Sequence, residues 1–312
     1  MLSRIADSLF WLNRYIERSD SILRVVYVHY ILSLDRSATT ITSWRPVLEL
    51  CTADPSNVIS EIENDTPAAL KKILLDETNF NSIRSIVNKA RENARGAQDH
   101  ITKEVWEVVN QMYHAANEPT LPSKLATYQA IKVIEAFSRS AVLFTGITDN
   151  TMSRGLGWNF MLLGKFIERC LQTISITDKQ LQIFSSQQEE INDILQWRYL
   201  LLCLSGYEMH LKTYHSTHHI ANALHQIFLN ENFTRSIIYS LVRVKHYLEN
   251  IQIIHEGKDL ALERSIGRLH SKVQYMDLQT FNLKTVQQFL HEIKSELSLF
   301  SEQLGQYYFS YY

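Results

Sequence analysis

The segment Arg14-Tyr15-Ile16-Glu17-Arg18 returns, conservatively altered, as Lys165-Phe166-Ile167-Glu168-Arg169. The flanks agree as well: Leu9 with Phe160, Leu12 with Leu163, Ser19 with Cys170. Guanidinium groups bind carboxylates and phosphates, and a neighbouring glutamate can hold an amine or move a proton. A Glu-Arg pair inside an otherwise apolar stretch needs partners or a task. Two copies about half the chain apart predict two related helices meeting around a shared polar site.

On a helix, Arg14 and Arg18 lie four apart, with Glu17 within reach of Arg14. Lys165, Glu168 and Arg169 keep that geometry. A third charged segment runs from Lys89 through Arg91, Glu92 and Arg95 to Asp99, followed by Glu104, Trp106, Glu107 and Asn110. Arg91 and Arg95 share a helix face, and Glu92 can reach Arg95. This density of polar groups has two compatible readings. One is an ion-pair network that fixes how helices dock. The other is a cleft in which arginines hold a carboxylate or phosphate and glutamates handle an amine or a proton.

A second cluster comprises His210, Tyr214, His215, His218, His219 and His225. His215 and His219, one helical turn apart, are weak candidates for a shared metal. No ExxH motif accompanies them, so a di-iron bundle is unsupported. The sequence also lacks a GxSxG elbow, a GxxxxGK[ST] phosphate loop, a dinucleotide GxGxxG and HExxH, and so implies no cofactor. Gly155 and Gly157 are expected to turn the chain into the second charged helix, and Gly164 to allow close helix contact.

The elements that must position these groups follow from composition and spacing. The chain has 312 residues, with only 9 Gly and 5 Pro. That supply of turn formers is low for an all-β or Rossmann-like chain and favours long helices. With 31 Lys+Arg against 33 Asp+Glu and a net charge of −2, no nucleic-acid partner is expected from bulk electrostatics. Cys51, Cys170 and Cys203 match no CxxC spacing and read as reduced, mostly buried thiols. No apolar run is long enough to span a membrane, and the charged N-terminus lacks a signal-peptide core, so a cytoplasmic location is expected.

Leu9, Leu12, Ile16, Leu23 and Val26 fall near one face of a helix over 3–34. Asp54-Pro55 and Thr66-Pro67 predict helix starts for 55–64 and 67–77. Further helices are expected from Asn79 or Asn81 to 97, then over 101–116, 124–144 with Ser123 as cap, and 156–178. The remainder are expected at 187–214, 217–229, 234–255, 259–275 and 283–305. A polar loop is expected at 148–151. The expected fold is all-α, a multi-helix bundle of long antiparallel helices built from two related halves. These form a single domain over 1–312, with pseudo-repeat halves of about 1–118 and 123–312. The aromatic tail from Tyr307 to Tyr312 is expected to pack onto the body or a subunit interface, which leaves a homo-oligomer open.

The opening stretch from Met1 to Arg18 resembles the start of the bacterial alpha-E domain family, a family of unknown function. Two further blocks carry the resemblance. One is Ala90-Arg91-Glu92-Asn93-Ala94-Arg95 with Glu104, Trp106, Glu107 and Asn110. The other runs from Thr151-Met152-Ser153-Arg154 through Gly157-Trp158-Asn159-Phe160 to Arg169. Tyr207 to Tyr214 replaces an arginine-rich stretch usual in the family, retaining only Lys212 of its basic triplet. Thr234-Arg235-Ser236 stands for its Pro-Arg-Ser. The resemblance implies an all-helical fold and a setting beside ATP-grasp-type amidoligases, often with transglutaminase-like peptidases. It points to Glu17, Arg18, Arg91, Glu92, Arg95, Glu168, Arg169 and Arg235 as polar groups of a cleft, beside Arg14 from the first repeat.

Three functions follow as expectations. The first is an accessory or substrate-binding partner of an ATP-grasp-type amidoligase acting on a peptide-like substrate. The second is an enzyme acting on a peptide-like amide with glutamate as acid or base, although no nucleophile–base pair is apparent. The third is a metal-binding helical protein.

Overall fold

A computed structural model describes residues 1–34, 43–186, 194–215, 219–255, 259–278 and 282–309. Among these residues the chain is all-α, with no strand. Contacts divide it into two compact units, Trp11–Ser153 and Met1–Phe10 with Arg154–Tyr312. The break at 117–123 lies inside the first of these.

The unit Trp11–Ser153 holds most of α1 (Ser3–Ser33), then α2 (Arg45–Cys51), α3 (Ser56–Ile62), α4 (Thr66–Leu74), α5 (Ile83–Gly96), α6 (Lys103–Ala116), α7 (Leu121–Leu125) and α8 (Ala130–Thr151). Helix α6 packs between α5 and α8. Val87, Ala90 and Ala94 of α5, Val105, Val109 and Met112 of α6, and Ile134, Phe137 and Phe144 of α8 are buried. They recur at helical spacing, the pattern by which one apolar stripe per helix makes a core.

The other unit holds the first turns of α1, then α9 (Leu156–Ser186), α10 (Ile194–Cys203), α11 (Tyr207–Thr213), α12 (His219–Phe228), α13 (Ile237–His255), α14 (Leu260–Gln274) and α15 (Leu283–Leu304). Helices α9, α13, α14 and α15 form its packed body. A Cβ at Gly164 would overlap the carbonyl oxygen of Phe10, and one at Gly157 would come within 2.9 Å of Leu9. Gly164 thus allows the close helix approach expected of it, and Gly157 acts in the same way, one residue inside α9. Tyr308 and Phe309 are buried, with Phe309 5.2 Å from Phe10 and Tyr308 5.4 Å from Phe160. This part of the tail packs onto the body, while 310–312 lie outside the described residues.

Several expected boundaries move for local reasons. Asp65, one residue before Thr66, caps α4 through the Ala68 N–H. Asp54 does not cap α3, where Pro55 takes that position; its carboxylate pairs with Lys72 at 2.9 Å. Ser82, not Asn79 or Asn81, caps α5. Ser123 lies within α7, and a turn separates α7 from α8. The expected loop at 148–151 completes α8, with the Asn150 and Thr151 side chains donating back to the Gly146 and Ile147 carbonyls. Helix α9 continues to Ser186. The expected helix 187–214 is two, broken where Ser205 adopts φ 55° and the Gly206 N–H closes on the Leu201 carbonyl at 2.7 Å; its first residues, 187–193, lie outside the described set. Helix α2 was not foreseen.

The three cysteines are free and buried. Burial pushes the Cys51 thiol up to about 12 and raises that of Cys170 as well, the behaviour of unreactive interior thiols. Among the described residues no helix is long and apolar enough to cross a membrane.

Candidate functional site

In the unit Trp11–Ser153, the first Glu-Arg pair is set in a row of aromatic and cationic side chains. Arg14 lies 4.4 Å over the Trp11 ring, and Trp11 sits 5.5 Å from Tyr15. Tyr15 carries Arg18 at 5.9 Å and, from α5, Lys89 at 5.8 Å. The helical spacing of Trp11, Arg14, Tyr15 and Arg18 makes this stacking possible, since residues three and four apart are neighbours on the surface. Arg18 then donates through Nη1 to Asn81 Oδ1 at 3.3 Å. Glu17 is 4% exposed and Arg14 is buried, and both have interaction partners.

The loop that receives Arg18 is highly ordered by its own side chains. Asp76 Oδ1 accepts from the Thr78 N–H, Asn79 Oδ1 accepts from the Asn81 N–H, and Ser82 Oγ caps α5 through Ser85. Further along α5, Arg91 donates through Nε to Asn110 Oδ1 at 2.8 Å and lies 4.3 Å over Tyr113 and 5.6 Å over Trp106. Arg91 therefore joins α5 to α6. Glu92 and Arg95 are exposed on α5, and among the described residues they form no ion pair with each other.

In the other unit, the second Glu-Arg pair is built the same way. Arg169 lies 5.1 Å over Phe166, three residues before it, as Arg18 lies over Tyr15. Phe166 also meets Tyr239 at 6.0 Å and stacks on Tyr247 at 5.8 Å, both from α13. Arg169 donates through Nη1 to the Thr234 carbonyl at 3.4 Å, and Thr173 Oγ1 donates to the Arg235 carbonyl at 3.0 Å. The receiving loop repeats the first: Asn230 Oδ1 accepts from the Asn232 N–H, and Ser236 Oγ caps α13 through Tyr239. Glu168 is 1% exposed and accepts from Gln172 Nε2 at 2.9 Å. Lys165 and Arg235 are buried, and all of these charges have partners. Each arginine thus ties its helix to the loop that starts the next long helix of its own unit, and each glutamate is sealed from bulk water.

The histidines form a clasp. Buried His210 shares a 2.8 Å hydrogen bond between Nδ1 and Gln226 Oε1, and Gln226 Nε2 donates to the Gly206 carbonyl at 2.8 Å. Burial lowers the His210 pKa, with the Gln226 bond acting against it and the nearby His219 charge adding a smaller lowering. The hydroxyl of Tyr214 meets His225 Nδ1 at 2.8 Å and accepts from Asn230 Nδ2 at 3.0 Å. His215 and His219 are exposed, and His218 lies outside the described residues. Among the described residues no group of three or more His, Cys, Asp or Glu is placed to hold a metal ion.

Comparison with known proteins bears directly on these helices. A family described as "a predicted alpha-helical domain with a conserved ER motif", Alpha-E, matches residues 1–309. The chain belongs to the Alpha-E family. It is 22% identical over 269 residues to an uncharacterized protein of Mycobacterium bovis and to one of Mycobacterium tuberculosis. The match covers 80% of this chain but only 30% of each relative, so the chain spans about a third of the length of these relatives. No solved structure matches.

In this Alpha-E chain the glutamates of the α1 and α9 Glu-Arg dipeptides are buried and the half-buried arginines each reach a loop of their own unit, and the groups they engage were only partly foreseen. Asn81 and the Thr234 carbonyl, which receive the two arginines, belong to loops whose shared plan is visible as Asp76 with Ser82-Ile83 and Asn230 with Ser236-Ile237 at the same interval. That recurrence would have located them. Gln226 and Gly206, which hold His210, carry no sequence signal, since only the return of the chain brings them beside it.

Proposed function

We propose that this Alpha-E chain is an accessory or substrate-binding partner of an ATP-grasp-type amidoligase that makes or modifies a peptide or peptide-like amide. One observation carries this over a catalytic Glu-Arg motif: Glu17 and Glu168 are 4% and 1% exposed. An acid or base must reach the proton it transfers, directly or through one water. A sealed, partnered carboxylate instead holds its surroundings together. The arginines support the same reading, since Arg18 and Arg169 are committed to their own loops. The amidoligase as partner comes from the setting of the family, and the length of the relatives, of which this chain covers 30%, accords with a helical segment that works beside other polypeptide.

Exposed Glu92, Arg95, Glu104 and Glu107 offer charge to such a partner on α5 and α6. Co-expression with an ATP-grasp-type amidoligase is expected to give a complex on affinity purification, and charge reversal by Glu92→Lys with Arg95→Glu to weaken it without changing the melting temperature. Glu168→Ala is expected to destabilise the fold by about 3 kcal/mol, the scale of removing one partner from a buried charged network, read by urea denaturation. Turnover of a peptide amide by the chain alone, lost in a folded Glu17→Gln variant, would overturn the proposal in favour of an enzyme.

A further inference from the structure

Between α13 and α14 lies an open groove of ≈ 560 Å³, a size suited to a small ligand. Its floor includes the buried Leu248 and Ile266. At Gly267 an added Cβ would meet nothing within 4 Å, so the groove has free space above that backbone. Charges of both signs stand around it. Lys245 and Glu249 approach each other only to 3.9 Å, and Glu263 and Arg264 form no ion pair among the described residues. Glu263-Arg264 is a further Glu-Arg dipeptide; its Glu263 is half-buried where Glu17 and Glu168 are buried, and its Arg264 is exposed. The larger groove between α1 and α8 differs in this respect, because its Asp20 and Arg24 pair at 2.8 Å and its Glu135 and Arg139 at 3.4 Å.

Gln252 also lines the α13–α14 groove. It is 2% exposed; its Nε2 donates to the Asp259 carbonyl at 3.3 Å, while its Oε1 has no hydrogen-bond partner among the described residues. A buried amide oxygen left without a donor is costly and rarely retained without a role. Gln252 is part of the groove lining, which puts this acceptor in the groove wall.

We propose that this groove binds a small zwitterion carrying an N–H donor, an amino acid or short peptide. Its amide or ammonium N–H bonds Gln252 Oε1, its carboxylate faces Lys245 and Arg264, and its ammonium faces Glu249 and Glu263. The assignment rests on the reading of the chain as a binder of peptide-like substrate and names where that substrate sits.

Calorimetric titration of the full chain with dialanine, up to about 10 mM to cover weak affinities, tests it. Binding is expected, weakened roughly tenfold when the dipeptide is N-acetylated or C-amidated, the scale of one lost charge-assisted contact. Gly267→Phe is expected to abolish it by filling the space, and Gln252→Leu to weaken it about tenfold by removing the acceptor. Arg264→Gln, on the exposed rim, serves as the variant least able to disturb folding and is expected to lose the discrimination against the C-amide. Absence of binding, or binding indifferent to Gly267→Phe and Arg264→Gln, overturns the proposal. A chain that still co-purifies with the amidoligase after that result leaves the partner reading standing and removes only the groove.

Discussion

The residue that best measures how the interior treats charge is His29. It is buried against Trp44, with ring centroids 4.5 Å apart, and desolvation lowers its pKa to about 4. The native chain therefore excludes a proton that the unfolded chain binds below about pH 6.5. The stability tied to neutral His29 is fully present above that pH and is lost as pH falls toward 4, by about 3 kcal/mol in total. Burial lowers the pKa of His210 and His270 too, so they act in the same direction. Urea midpoints measured from pH 7.5 down to about 4.5 are expected to fall, and His29→Phe to flatten that fall; an unchanged slope in the variant would remove His29 from the account. Nothing in the spacing of His29 marked it, whereas Glu17 and Glu168 were recognisable because each sits in an apolar helix stretch. Burial of a titratable group at an isolated position is a property of its neighbours in space.

At the scale of elements, helix type and order were largely legible because Gly and Pro are scarce and apolar residues recur at helical spacing. The failures came where side chains compete for backbone groups. Asp65 rather than Thr66 caps α4, and Asn150 and Thr151 stay helical with their side chains bonded to carbonyls one turn back. Glycines divide by what lies opposite them. Gly164→Ala places a methyl on the Phe10 carbonyl and is expected to cost about 1–3 kcal/mol, the usual range for overpacking. Gly146→Ala meets nothing within 4 Å inside α8 and is expected to gain up to about 1 kcal/mol from helix propensity. Thermal denaturation of the two variants should move in opposite directions, and a loss in both would contradict the packing at Gly164.

At the scale of the whole molecule, the division into units cuts through α1. Its first residues, to Phe10, belong with Arg154–Tyr312, where Leu9 and Phe10 meet α9 and the tail. A fragment of residues 154–309 is thus expected to melt well below the same fragment with residues 1–10 supplied by a flexible linker, since burial of Leu9 and Phe10 is worth about 1.5–3 kcal/mol per side chain. Equal melting temperatures by circular dichroism would show that the first turns of α1 add nothing to that unit. By itself the sequence determined an all-helical chain and the two Glu-Arg helices with their repeated residue pattern, because these are written in local period and repeated residue types. Only tertiary structure decided that Glu17 and Glu168 are sealed, that Arg18 and Arg169 serve loops, that Glu92 and Arg95 face solvent, and that a charged groove stands open between α13 and α14. Exposure and partnership depend on which distant segments fold back onto a residue, and helical periodicity says which face turns inward without saying what will cover it.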